Sequence, residues 1–308
     1  MQDHAVFKSR LFPWLLLLPS LLILAVFIYF PAIQAFILSF YKSNMRLGTR
    51  KFIGFENFTD LFVGPFSSAY KQIMVQSLVF SLCVVVIGLS LSVVLATFAS
   101  QKVRGARVYR LFLIWPFALS PAVAATIFLF LFNPQVGGVN LILNELFGIK
   151  PRWLDTAWLT FLLVVLAAVW KNLGYNIVFY LAALQNIPKE YDEAAAIDGA
   201  GPVSRFFRIT LPMLSPMTFF LVFTNLTFSF FDAFGIIDIM TRGGPVGPDP
   251  IDNAGVTTIM MYRVFQEGIQ QGKSGFAAAF SIFILGIVAI ITLLQFRYGS
   301  RNVQYGDN

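Results

Sequence analysis

The stretch QNIPKEYDEAAAIDGAGPVSRFFRITLP, residues 185–212, lies between two long apolar runs and is patterned for helix. Pro188 suits a first helical position, and the acids that follow it favour a helix N-terminus. Gly199 can end that helix in the left-handed conformation, and Pro202 can begin a second helix that ends before Pro212. The stretch therefore predicts two helices joined by a glycine corner.

The alanines at positions 194–196 give the first of these helices a surface of small side chains. Such a surface lets another protein approach the helix backbone closely, which favours a docking element. An amphipathic connector lying on the membrane surface fits the same spacing equally well. Spacing alone leaves both interpretations open.

The rest of the chain has the composition of a membrane protein. Of its 308 residues, 57% are hydrophobic and 12% are charged, and the mean hydropathy is +0.75. A helix needs ~20 mostly apolar residues to cross the hydrocarbon. We predict an all-α, polytopic membrane protein with six transmembrane helices in a single domain, residues 1–308. The predicted spans cover residues 11–40, 73–100, 109–132, 157–184, 213–240 and 276–296.

The first apolar run continues too far for a signal peptide, so we expect it to be retained as a helix. It contains Pro13, Pro19 and Pro31. Because proline removes a backbone donor, we expect bends at these positions and a regular part shorter than the whole run.

Six spans place both termini on one side of the membrane, and we predict that this side is the cytoplasm. Lysine and arginine accumulate in cytoplasmic connections. Their totals on the two sides are nearly equal here, but the tight connection 101–110 holds Lys102, Arg104, Arg107 and Arg110 and no acid. That density places 101–110 and 185–212 inside. The longer connections 41–72, 133–156 and 241–275 are then external and could dock a soluble partner.

The formal charge of +7 does not require a nucleic-acid partner, because lysines and arginines that flank spans produce the same excess. Cys83 is the only cysteine and His4 the only histidine, so neither a disulfide framework nor a Cys/His metal site can form within the chain. No acid, His or Cys cluster has catalytic spacing. We predict no catalytic residue, no metal and no bound cofactor, with membrane lipid as the surroundings.

The pattern Glu193-Ala194-Ala195, then Gly199, then Ile209 and Leu211-Pro212 resembles the EAA signature of permease subunits of binding-protein-dependent ABC importers. The resemblance implies the ABC importer type I permease fold, with cytoplasmic coupling helices between spans four and five that sit in a groove of the ATPase subunit. The residues it assigns to ATPase coupling are Glu193, Ala194, Ala195, Asp198, Gly199, Ile209, Leu211 and Pro212.

Other stretches resemble the sugar and polyol branch of this family. They include FIGFENF at 52–58, Trp170-Lys171, and MTRGGP at 240–245, although Arg242 stands where that branch often has glycine. Residues 120–134, 169–212 and 230–245 look most like permeases of sn-glycerol-3-phosphate importers. The implied cargo is sn-glycerol-3-phosphate or a related glycerophosphodiester, and the alternative is a disaccharide or oligosaccharide.

The phosphate-binding signature G-x-x-x-x-G-K-[ST] is absent from the chain. The nearest match, GIQQGKS at 268–274, is one residue short. The resemblance therefore implies that ATP and Mg are bound by a separate ABC ATPase dimer and that this chain is not an enzyme. It further implies a second homologous permease subunit, an extracytoplasmic solute-binding protein, alternating access, and residence in the bacterial cytoplasmic (inner) membrane.

Polar residues inside the spans are candidates for the solute pathway, because an ionisable group in hydrocarbon costs ~2.5–3.5 kcal/mol on insertion scales. The candidates are Lys171, Asn172, Tyr175 and Asn176 in span four, and Asn225 and Asp232 in span five. Those of span four recur at four-residue intervals and can share one helix face. Lys171 could contact a cargo phosphate or pair with Asp232 or Asp238, and the sequence leaves both open.

A secondary transporter or channel that works without ATP would also contain polar-studded helices. Secondary carriers often show internal repeats and paired broken helices. The sequence predicts neither feature, and the segment 185–212 has no role in such a protein.

Overall fold

The computed structural model describes residues 12–101, 105–245 and 254–302. Its helices are α1 (Phe12–Leu38), α2 (Glu56–Asp60), α3 (Ser67–Ser100), α4 (Ala106–Ala118), α5 (Pro121–Leu131), α6 (Gly138–Phe147), α7 (Ala157–Gln185), α8 (Lys189–Ile197), α9 (Pro202–Met213), α10 (Ser215–Phe231), α11 (Phe234–Met240), α12 (Met260–Phe265) and α13 (Ser274–Asn302). The strands β1 (Tyr41–Asn44) and β2 (Thr49–Phe52) form an antiparallel hairpin.

Four of these helices, α1, α3, α7 and α13, are long and apolar enough to cross a membrane. Two further spans are obtained among the described residues if the bent pairs α4–α5 and α9–α10 each count as one. The mostly helical, polytopic architecture is as predicted, and six is the upper value of the span count.

The predicted third span, 109–132, is broken. Helices α4 and α5 meet at an angle of 107°. A 3-10 turn, Trp115–Ala118, precedes the break, and the Ser120 hydroxyl accepts a hydrogen bond from the Val123 amide to begin α5 with Pro121 at its first turn. Proline lacks the donor that would continue α4 through this point. We predicted 109–132 as one uninterrupted span, so this break was missed.

The other predicted spans differ mainly at their ends. Helix α1 is continuous through Pro19, and a π-helical turn at Ala25–Tyr29 absorbs the donor missing at Pro31. Its predicted start at Leu11, like Lys102 and Arg104 of the basic connection, lies outside the described residues. The predicted fifth span, 213–240, is divided between α10 and α11.

The chain forms two compact units. The first contains the described residues up to Gly64 together with Val264–Phe283, and the second contains Pro65–Arg263 and the described residues from Ile284 onward. In the second unit, α3 and α7 pack along their length through small residues such as Gly88, Ala96 and Ala168. Small residues allow transmembrane helices to approach closely.

The first unit is built around the β1–β2 hairpin. The Asn57 amide donates hydrogen bonds to the carbonyl oxygens of Ser39 (2.7 Å) and Tyr41 (3.0 Å), which holds the end of α1 against β1. The Met45 amide donates to the Gly272 carbonyl (2.8 Å) and joins the hairpin to the residues before α13. This hairpin lies in the connection 41–72 and is a departure from the predicted all-α fold.

Candidate functional site

Residues 185–212 form the helix, glycine corner and second helix that their pattern predicts, but two predicted bounds were wrong. Helix α8 begins at Lys189, with Pro188 just before it, and α9 continues through Pro212 to Met213.

Gly199 follows α8 with a φ of +81°. Its amide donates to the Ala196 carbonyl (3.1 Å), and the Ala200 amide donates to the Ala195 carbonyl (2.9 Å). These two bonds are the Schellman arrangement, which satisfies carbonyls that a helix end leaves free. The corner is therefore specified by its own backbone bonds.

An ion pair ties α8 to α9 across this corner. The Arg205 guanidinium donates to the Asp192 carboxylate at 2.8 Å. Asp192 is more than half exposed, so the pair contributes little stability but fixes the relative direction of the two short helices.

Exposed apolar side chains stand among charged ones on this helix pair. Ile197 is 87% exposed, and Tyr191, Val203 and Phe207 are exposed as well. Ala194, next to Glu193 on α8, is also exposed. No described residue covers these side chains, and large uncovered apolar patches mark interaction sites.

The eight residues predicted to couple to an ATPase fall on two sides of the segment. Glu193, Ala194, Asp198, Gly199 and Pro212 are exposed. Ala195, Ile209 and Leu211 are partly buried. Ile209 lies in a π-helical turn, Phe206–Thr210, directly before Leu211 and Pro212. This end of α9 connects to α10, whereas the α8 end projects outward.

Three polar contacts join α7 to α10 and the residue that follows it. The Lys171 ammonium lies 3.0 Å from the Asp232 carboxylate. One to two turns further on, the side-chain amides of Asn176 and Asn225 exchange two hydrogen bonds of 3.0 and 2.7 Å. The third contact joins the hydroxyls of Tyr180 and Thr218 at 3.1 Å. We call this set of contacts the polar ladder.

The ladder is most buried at its centre. Asn176 and Asn225 are each 1% exposed. At the Lys171 end, the lysine side chain is 8% exposed and the Asp232 side chain 44%. Asp232 directly follows α10, at the break before α11. The hypothesis that Lys171 pairs with an acid is thus confirmed for Asp232.

The remaining predicted pathway residues have separate surroundings. The Tyr175 ring lies among aromatic rings, with centroids 5.3 Å from Phe117 and 5.3 Å from Phe228. Asn172 is buried, and its side-chain amide oxygen Oδ1 has no hydrogen-bond partner among the described residues. The four-residue spacing of span four therefore does not form one continuous polar face.

The Tyr180–Thr218 contact was missed in the sequence because Tyr180 lies in an apolar context. Its signal was the four-residue step from Asn176, which repeats the period of the predicted pathway face. The glycine-rich match at 268–274 is not a phosphate loop, because the Lys273 ammonium pairs with the buried Glu267 carboxylate at 3.0 Å. Gly268 lies within the π-helical turn Gln266–Gln270.

Comparison with known proteins gives consistent matches. Residues 88–303 match the family model described as "Binding-protein-dependent transport system inner membrane component". The chain is 41% identical over 303 residues, 98% of its length and 99% of the relative, to the sn-glycerol-3-phosphate transport system permease protein UgpA of Pectobacterium atrosepticum. It is 39% identical to the protein of the same name from Escherichia coli (strain UTI89 / UPEC), again over 98% and 99% of the two chains.

Solved structures resemble the fold. A chain of a bacterial ABC transporter involved in the import of the acidic polysaccharide alginate superposes with a TM-score of 0.80 at 21% identity, covering 95% of this chain and 96% of that one. A second structure, of a bacterial alginate ABC transporter with an alginate pentasaccharide-bound periplasmic protein, gives 0.79 at 20% identity, covering 96% of both.

Proposed function

Because this chain belongs to the family of binding-protein-dependent transport system inner membrane components, we propose that it is an ABC importer permease whose cargo is sn-glycerol-3-phosphate or a related glycerophosphodiester. The observation that supports this cargo is the 39–41% identity to sn-glycerol-3-phosphate transport system permease proteins over nearly the full length. The alternative cargo is a disaccharide or oligosaccharide, because the chain also resembles the sugar and polyol branch of the family.

The transport complex that we propose contains a second homologous permease, an ABC ATPase dimer and an extracytoplasmic solute-binding protein. ATP and Mg are bound by the ATPase subunits, since this chain has no phosphate-binding signature. Two uncovered surfaces support partners: the exposed apolar side chains of α8 and α9, and α1, in which no described side chain is buried. The structure of a relative with its periplasmic protein supports the binding-protein partner.

We propose that residues 185–212 are the coupling segment and dock on the ATPase from the cytoplasm, with both termini on that side. The exposed side chains of Ala194 and Ile197 are suited to a groove, because the first allows close approach and the second contributes apolar area. In this proposal, the eight residues of the EAA-like pattern contribute to coupling by holding α8 and α9 in the position that docks. Of the two interpretations that the sequence left open, we therefore favour a docking element over an amphipathic connector on the membrane surface.

The polar ladder explains how motion of the coupling segment reaches the membrane. Helices α7 and α10 flank the segment in the chain, and the ladder joins them along most of α10. A displacement of α8 by the ATPase then moves α7 and α10 together instead of separating them. The Asn176–Asn225 pair is the firmest of the three contacts, since both amides are buried and satisfied by each other.

For the solute pathway we propose the end of the ladder near Lys171, with Asn172 and Tyr175 on the same helix. Lys171 is the only cationic residue well inside one of the spans predicted from the sequence, and its partner Asp232 is partly exposed. Asn176 and Asn225, also predicted for the pathway, act mainly on each other in this conformation. They contribute to the pathway by holding α7 and α10 in register.

The cargo is tested by uptake in proteoliposomes that contain this chain, its second permease and the ATPase. Labelled sn-glycerol-3-phosphate and labelled maltose are each delivered by the matching binding protein, with ATP inside. We expect uptake of the phosphate ester only. Uptake of maltose alone would retain the permease role and replace the cargo.

A further inference from the structure

The β1–β2 hairpin lies where two membrane spans end. Helix α1 ends at Leu38 and β1 begins at Tyr41. Helix α13 begins at Ser274, whose hydroxyl lies 3.0 Å from the Ser43 hydroxyl of β1. A Cβ atom on Gly275 would overlap the Tyr41 carbonyl, so the hairpin and α13 are in direct contact. Since α1 and α13 are both long enough to cross the bilayer, the hairpin lies at the boundary between membrane and water.

This hairpin is strongly basic. It contains Lys42, Arg46, Arg50 and Lys51, and no acid occurs from residue 41 to residue 55. The strand register places Lys42 directly opposite Lys51. Side chains at opposed positions share one face of the hairpin, and like charges there destabilise the strand pair. The described residues supply neither lysine with a carboxylate partner.

The two arginines are occupied within the hairpin's own unit. The Arg50 guanidinium lies 4.1 Å from the centre of the Tyr41 ring, and the Arg46 guanidinium donates to the Gln270 carbonyl. The Asn44 side chain accepts hydrogen bonds from the backbone amides of Arg46 (2.9 Å) and Leu47 (3.1 Å), which fixes the turn. The lysine pair is thus presented on a preformed support.

The turn also exposes apolar side chains beside these cations. Met45 is 67% exposed and Leu47 is 73% exposed, and Phe52 at the end of β2 is largely exposed too. Clusters of lysine and arginine next to the end of a membrane span attract anionic lipid headgroups. The lysine pair lies at the base of the hairpin, within a few residues of the end of α1 at Leu38, which is where a lipid headgroup can reach it.

We propose that the β1–β2 hairpin binds the headgroups of anionic phospholipids, with Lys42 and Lys51 sharing one lipid phosphate. Both lysines lie at the base of the hairpin, next to the end of α1, whereas the turn contacts residues 270 and 272, which precede α13. The bound anion removes the repulsion between the two ammonium groups. This site is independent of the cargo and of the ATPase, and it anchors the end of α1 to the start of α13 at the membrane surface.

The test measures how many lipids stay on the full-length chain, purified in a neutral detergent, by native mass spectrometry. Phosphatidylglycerol and phosphatidylcholine with the same acyl chains are added separately. We expect the wild-type chain to retain about tenfold more of the anionic lipid, as basic residues at an anionic surface do. In Lys42→Gln/Lys51→Gln this preference falls at least several-fold, whereas Lys42→Arg/Lys51→Arg retains it.

The matched control is Lys150→Gln/Arg152→Gln, which removes the same charge from exposed residues elsewhere and keeps the preference. If the Gln pair unfolds the chain, the test uses the wild type alone and repeats the lipid comparison at high salt. Salt at about 0.5 M should abolish the preference for the anionic lipid if that preference depends on exposed cations. Equal retention of both lipids by the wild type, or an unchanged preference in the Gln pair, overturns the proposal. The proposal is also overturned if removing the two lysines weakens binding of the solute-binding protein and leaves lipid retention unchanged.

Discussion

The close approach of α7 to α4 depends on one missing atom at Gly174. A Cβ placed on this glycine would overlap the backbone carbonyl oxygen of Ile114, and a backbone atom cannot rotate out of the way. Ile114 directly precedes the 3-10 turn that breaks the third span. The position of that break is therefore linked to the size of residue 174.

We expect Gly174→Ala to lower the stability of the purified chain, because overpacking costs ~1–3 kcal/mol. The control is Gly88→Ala, where a Cβ would lie 3.9 Å from its nearest neighbours and should fit. Thermal unfolding in detergent compares the two variants. A Gly174→Ala midpoint as high as that of Gly88→Ala would contradict the close contact.

The ion pair between Lys171 and Asp232 is unequal, and this predicts unequal variants. Asp232→Asn leaves the 8% exposed lysine without its counter-ion, whereas Lys171→Met leaves an acid that is 44% exposed. We expect a loss of ~2–3 kcal/mol for the first, as for an uncompensated cation in a membrane helix, and under ~1 kcal/mol for the second. The double variant should recover most of the loss. If the unfolding midpoints of Asp232→Asn and Lys171→Met fall equally, the difference in burial does not determine the cost of losing one partner.

The coupling segment depends on the end of α8, where Gly199 has a φ of +81° and Gly201 a φ of −67°. A Cβ at either glycine meets open space, so neither substitution creates a clash. The two positions differ in backbone conformation, and Gly201 is also the N-cap of α9, where Asp is favoured. This pair separates strain at the corner from added bulk or charge at the docking surface.

We expect Gly199→Asp to uncouple ATP hydrolysis from uptake. A side chain in the left-handed conformation costs ~1–2 kcal/mol, which is relieved if α8 loses its docking position. Uptake per ATP hydrolysed should then fall about tenfold, the ratio that ~1.4 kcal/mol represents. Gly201→Asp adds the same charge without that strain and should stay coupled. The same loss in both variants would assign the effect to charge and not to the corner.

The centre of the polar ladder predicts coupling between two residues. Asn176→Leu or Asn225→Leu alone leaves one buried amide without its partner, whereas the double variant removes both. A double-mutant cycle on unfolding should give an interaction of ~0.6–1.7 kcal/mol, the range for side-chain hydrogen bonds between membrane helices. Additive single losses would mean that the pair does not join α7 to α10.

Long apolar helices and the glycine corner were predictable from the sequence, because both depend on local composition. Helix α7 begins at Ala157 as predicted and ends one residue later than predicted. The break between α4 and α5 was missed, since hydropathy does not register a change of direction, although Pro116 and Pro121 marked it. The hairpin was missed because its two four-residue strands, YKSN and TRKF, are mostly polar and lack the apolar alternation that predicts a strand.

The candidate site was predictable in part. The positions of Lys171 and Asp232 in facing spans indicated their ion pair as one of two options, and only the structure decided between them. Asn176 and Asn225 were chosen as pathway residues, yet they bond to each other because the register of α7 and α10 brings the two amides together. Such a register depends on packing and cannot be derived from spacing within one helix.

At the scale of the whole molecule, the chain has the membrane-spanning helices of a transport system inner membrane component. Its described residues contain up to six spans and the exposed helix pair that we propose as the coupling segment, and its sequence has no phosphate-binding signature. The account therefore predicts that transport depends on ATP hydrolysed by another subunit. A secondary carrier with the same spans would not need that subunit.

The most direct test is accumulation of labelled sn-glycerol-3-phosphate in proteoliposomes that hold this chain and its second permease, with binding protein outside. The measurement is made with and without the ATPase subunits, and with ATP or a non-hydrolysable analogue inside. We predict accumulation only when ATPase and ATP are both present. Accumulation without either one would contradict the account and identify a carrier that works without ATP.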